Sequence, residues 1–90
     1  MLLALLTAKI EMAIHELDEW INNVQPPPME LQWSQRLRQE LLEAKSATTI
    51  ENLREKTNLI MRMVTDSGPL ETNFMPSFQE VVEKLGKLNS

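Results

Sequence analysis

Apolar residues recur at Leu3, Leu6, Ile10, Ala13, Leu17, Trp20 and Val24, in alternating steps of three and four. That rhythm matches the turn of an α-helix and puts them all on one stripe, so the segment must bury one side. The same stretch carries the charge imbalance of the chain. Up to residue 30 a single base, Lys9, stands against Glu11, Glu16, Asp18, Glu19 and Glu30. From residue 31 onward bases and acids cancel, so the net charge of −4 lies within the first thirty residues.

The remaining punctuation divides the chain into three more helices. Gln25-Pro26-Pro27-Pro28 stops the first helix, because consecutive prolines cannot continue it, and Pro28 can open the next, where its missing N–H costs nothing. Met29, Trp33, Leu37, Leu41 and Ala44 are the expected buried face of helix two. Thr48 with Glu51 three residues on reads as a capping box opening helix three, whose face is Ile50, Leu53, Thr57, Ile60, Met61 and Val64. Ser67-Gly68-Pro69 closes it, Leu70 to Met75 lacks helical periodicity, and Ser77 with Glu80 reads as a second capping box. Helix four buries Phe78, Val81, Val82, Leu85 and Leu88, with Glu80–Lys84 and Glu83–Lys87 as supporting pairs and Gly86 as a stop.

The expected fold is therefore all-α: a small four-helix, mostly antiparallel bundle with helices at about 2–24, 28–45, 49–66 and 76–88, forming one domain over residues 1–90. Ninety residues give a compact radius of gyration of roughly 12 Å. At this size burial and ordering entropy nearly cancel, so a partner or a second copy would stabilise the fold appreciably. The apolar start lacks a basic lead and ends at Lys9 and Glu11, which disfavours a signal peptide. No stretch reaches the ~20 apolar residues that span a bilayer. An amphipathic membrane-surface helix normally has a basic polar face, and here that face is acidic. A soluble, cytoplasmic protein is the expectation, the chain having no Cys.

Chemistry-bearing patterns are few. His15 is the one histidine, and it points away from the apolar stripe with Glu11 and Glu19 one turn to either side. A weak metal site is conceivable from that spacing, but a solvated polar face accounts for it more simply. His15-Glu16-Leu17-Asp18-Glu19 lacks the second His of a zinc-protease motif, and a di-iron bundle needs two Glu-x-x-His pairs. No nucleophile elbow and no glycine-rich phosphate loop occurs, so neither an enzyme nor a cofactor or metal is expected. Helices two and three could present Arg36, Arg38, Lys45, Arg54, Lys56 and Arg62 to nucleic acid. Interleaved Glu40, Glu43, Glu51 and Glu55 offset them, and affinity follows the phosphates neutralised.

What remains points to binding. Leu5 and Met12, Leu31 and Leu42, and Leu59 and Met63 lie off the main stripes of their helices. They either contact second neighbours inside the bundle or form a homodimer seam or partner groove. Glu16, Asp18 and Glu19 crowd the end of helix one, where the helix dipole prefers cations, a local rule broken without visible compensation. The expected partner-binding residues are Glu11, Asp18, Glu19, Leu5 and Met12, with Leu70 and Phe74 from the loop. The leading expectation is a non-enzymatic protein-interaction module, alone or homodimeric. A small acidic inhibitor of the immunity-protein or antitoxin kind, masking a basic toxin or nuclease surface, is the narrower alternative. A nucleic-acid-binding bundle is the third.

Overall fold

The computed structural model describes residues 2–66 and 75–88. It contains α1 (Leu2–Val24), α2 (Pro28–Lys45), α3 (Ile50–Asp66) and α4 (Pro76–Lys87), with no strand among the described residues. The fold is thus the expected small all-α four-helix bundle, with a radius of gyration of 12.6 Å. Residues 67–74, and with them the expected binding residues Leu70 and Phe74, lie outside the described residues.

α1 is the central element: α2 packs along one flank, α4 along the other, and α3 packs on α2. The remaining helix pairs, α3 with α4 among them, approach only sparsely. Cross-helix ion pairs show the directions. Asp18 meets Arg38 at 2.9 Å and Glu11 meets Lys45 at 3.1 Å, so α2 runs antiparallel to α1. Lys56 reaches Glu43 at 2.8 Å and Glu40 at 3.6 Å, tying α3 back onto α2 across the short 46–49 connection. Glu16 holds Ser77 and Lys9 pairs with Glu80, so α4 descends along α1.

One apolar cluster runs through all four helices. Leu6, Ile10 and Leu17 of α1, Leu37 and Leu41 of α2, Leu53 and Ile60 of α3, and Phe78 and Val81 of α4 are fully buried. Met75, just before α4, is also fully buried and closes that end of the core. Ser34 and Thr57 are the polar members of α2 and α3 in the core. Each hydroxyl donates to a carbonyl of its own helix, Ser34 to Glu30 at 2.8 Å and Thr57 to Arg54 at 2.9 Å. Neither is left unsatisfied, which is the condition for burying them.

The ends of the stripes depart from expectation. Val24 is 53% exposed and Met29 84% exposed, whereas the spacing assigned both to the core. They flank the Gln25–Pro27 link, beyond the part of α1 and α2 that other helices cover. Ile14 is buried instead, and Ile21 packs on the core, both slightly to the α2 side of the expected stripe. Leu88 is exposed as well, one residue past the end of α4.

The stop signals act through backbone geometry. Gln25 takes a positive φ of 50°, a left-handed exit, while its N–H still donates to Ile21 at 2.9 Å. Pro28 is the first residue of α2, as its sequence position suggested. At α3 the cap is Thr49 and not Thr48: its hydroxyl accepts from the Asn52 N–H at 3.0 Å. The expected box is therefore shifted by one residue, which places Asn52 where Glu51 was assigned. Gly86 does not end α4, which continues through Lys87 with no positive-φ glycine among the described residues.

Candidate interaction surface

The second expected capping box is replaced by a contact from another helix. Ser77 makes no side-chain cap with Glu80, which is drawn instead to Lys9. The Glu16 carboxylate of α1 takes over: it accepts the Ser77 N–H at 3.1 Å and the Ser77 hydroxyl at 2.7 Å. An anion at the first turn of α4 satisfies a free donor and opposes the positive end of that helix. Glu16, which the sequence placed among misfit acids, is thus a structural residue.

The other acids of α1 divide by face. Asp18 accepts from Arg38 Nε at 2.9 Å and from Nη2 at 3.3 Å, a two-point contact with α2. That hydrogen bond, with the Asp18 charge, raises the Arg38 pKa. Glu11 is held by Lys45. Both pairs are well exposed, so each contributes under about 1 kcal/mol. They nevertheless point two of the expected partner-binding acids toward α2. Glu19 remains on the outer face, together with His15.

The apolar candidates also divide. Leu42 and Met63 pack against the core, and Leu31 is half-buried on α2, so these read as second contacts within the bundle. Leu5 is 48% exposed and Met12 52% exposed on α1, while Leu59 is 42% exposed on α3. Leu5 and Met12 are two turns apart on one face. Between and beyond them lie Ala8, His15, Glu19 and Asn22, all exposed. These residues form a second stripe with the three-four rhythm, Leu5-Ala8-Met12-His15-Glu19-Asn22, opposite the core stripe. The signal was present in the sequence, but Ala8 is too small to register as apolar patterning and the last three members are polar.

Open clefts lie elsewhere. A hollow of about 470 Å³ follows the α2–α3 turn, lined by Gln39, Leu42, Glu43, Ala47 and Lys56. Along the sparse α3–α4 seam are two shallower ones, of about 180 Å³ beside Thr57 and Val82 and about 220 Å³ beside Met61 and Glu83. Their side chains are a mixture of charged, polar and apolar groups. Among the described residues no group of three or more His, Cys, Asp or Glu side chains could hold a metal ion. No helix among them is long and apolar enough to cross a membrane. No family model, curated protein or solved structure matches the chain.

Proposed function

We propose that the chain is a non-enzymatic protein-binding module whose contact surface is the outer face of α1. The observation that carries this reading is the pair Leu5 and Met12, both about half exposed on a helix whose other face is fully packed. Scattered exposed apolar residues are ordinary, but two in register on one helical face, flanked by exposed Ala8, make a strip that water solvates poorly. Glu19, two turns beyond Met12, supplies a charged edge that would favour a correctly oriented partner. A reducing cytoplasm suits a chain with no Cys.

The acidic-inhibitor alternative draws on the net charge of −4 and the exposed Glu19. It is the weaker reading, because Glu11 and Asp18 already have basic partners within the chain. Nucleic-acid binding is weaker still: Arg38, Lys45 and Lys56 are each bound to carboxylates, leaving few cations for phosphates.

The test is comparative affinity capture from the native cell with the wild-type chain and with the Leu5→Glu, Met12→Glu double variant. Both substitutions are at exposed sites, so helicity and melting should be retained. A protein held by the wild type and lost from the variant supports the reading. Identical captures from a folded variant would refute it.

A further inference from the structure

Building on that reading of the α1 face, we infer that its partner is a second copy of this chain, docked antiparallel along the Leu5–Glu19 stripe. The stripe has the three-four spacing of a coiled-coil seam, so two such faces can interlock side chain into hollow. In an antiparallel pair the residue numbers of facing layers add to a constant. With Ala8 set against Met12 of the second copy, the small side chain receives the large one, and the same fit repeats across the two-fold axis. Leu5 then lies against the imidazole of His15, and Glu19 reaches the first turn of the opposing α1.

The charges of α1 select this direction. The helix has no acid in its first turn and no base in its last, so neither end of its dipole is compensated by the side chains of that turn. An antiparallel second copy brings the Glu19 of each chain to the positive end of the other α1. A parallel pair would instead stack Glu19 on Glu19 and set Glu11 beside Glu16. The flanking charges that meet their own copies across the antiparallel axis are Lys9 and Glu11. Each already has a counterion within its own chain, Glu80 for Lys9 and Lys45 for Glu11, so their approach carries little repulsion. The small buried area of a single helix pair puts the association at the weak end, with a dissociation constant on the order of 100 µM.

Sedimentation equilibrium of the full chain from about 5 to 500 µM tests it, since that range brackets the expected constant. The wild type should pass from monomer to dimer, and Met12→Glu should stay monomeric with unchanged helicity. Glu19→Lys should weaken the dimer several-fold at low salt and less at high salt. Orientation follows from oxidising an equal mixture of Ala8→Cys and Met12→Cys chains, the chain having no other Cys. The mixed cross-linked dimer should dominate, whereas dominance of the two like pairs would overturn the antiparallel register. A wild type that stays monomeric at the top concentration overturns self-association. In that case a protein captured by the wild type and lost from the double variant would leave the interaction reading standing alone. No such protein would sink both.

Discussion

Glu16→Ala is the sharpest test of how α4 is held. Glu16 is half-buried and accepts both the backbone N–H and the hydroxyl of Ser77, and Ser77 is itself buried. Truncation removes the side-chain cap that Glu16 supplies at the start of α4, worth about 1 kcal/mol by analogy with N-cap losses. It also removes a favourable charge at the positive helix end, about 0.5 kcal/mol, and strands a buried hydroxyl at about 1 kcal/mol. Alanine regains a few tenths through its higher helix propensity in α1. The net loss is about 2 kcal/mol, which for a domain of this size lowers Tm by roughly 8–16 °C. Urea and thermal unfolding followed by circular dichroism at 222 nm would measure it. Glu19→Ala, one turn along and exposed, is the control and should change stability by less than about 0.5 kcal/mol. Ser77→Ala and the double variant complete a cycle, whose coupling energy should exceed about 1 kcal/mol if the two side chains act as a pair. The reasoning fails if Glu16→Ala costs no more than Glu19→Ala, or if the Glu16 and Ser77 losses simply add.

Hydrogen bonds from Lys56 to Glu43 and from Lys9 to Glu80 lower both carboxyl pKa values from 4.5, with the lysine charges assisting. Their stabilising effect is present above the ordinary carboxylate range and is lost as pH falls through the lowered folded values. Tm should therefore drop on acidification from 4.5, and more shallowly in Glu43→Gln or Glu80→Gln; identical slopes would refute the assignment. Gly86 lies inside α4 with nothing within 4 Å of an added Cβ, so Gly86→Ala should stabilise by about 0.5 kcal/mol in the same melts. Gln25→Gly should gain a similar amount, about 0.5–1 kcal/mol, by relieving the left-handed φ of 50°. Met29→Ser should be neutral within about 0.5 kcal/mol. Phe78→Ala should cost about 3–5 kcal/mol and leave the chain largely unfolded, because Phe78 is fully buried in the core.

Local rules carried the helices, and where they failed the cause was tertiary. Periodicity locates a stripe but not how far a neighbour extends along it, so Val24 and Met29 kept their places in the pattern while losing their cover. Ile14 and Ile21 entered the core because α1 is packed on two flanks, which widens the buried arc beyond one line of residues. The Thr48–Glu51 and Thr49–Asn52 pairs offer almost equivalent caps, and a shift of one residue separates them. Glu16 was beyond sequence reading: its partner is Ser77, sixty-one positions away, and the local Ser77–Glu80 pattern pointed to a different cap. At the candidate surface, Leu5 and Met12 stood out through their angle to the stripe. Ala8 and the polar continuation gained meaning only once the whole outer face of α1 was defined.

The position of α1 between α2 and α4 also sets an order of assembly. α2 joins α1 through contacts 20 and 34 residues apart in sequence, and α3 joins α2 across 13. These close small loops and can form early. α4 has its polar anchors on α1 across 61 and 71 residues, and it touches α3 only sparsely. Of these contacts, its docking closes the longest loops and so has the largest loop-closure cost. On loop closure alone α4 should be the last segment to assemble, and a chain without it docked would leave one flank of α1 bare.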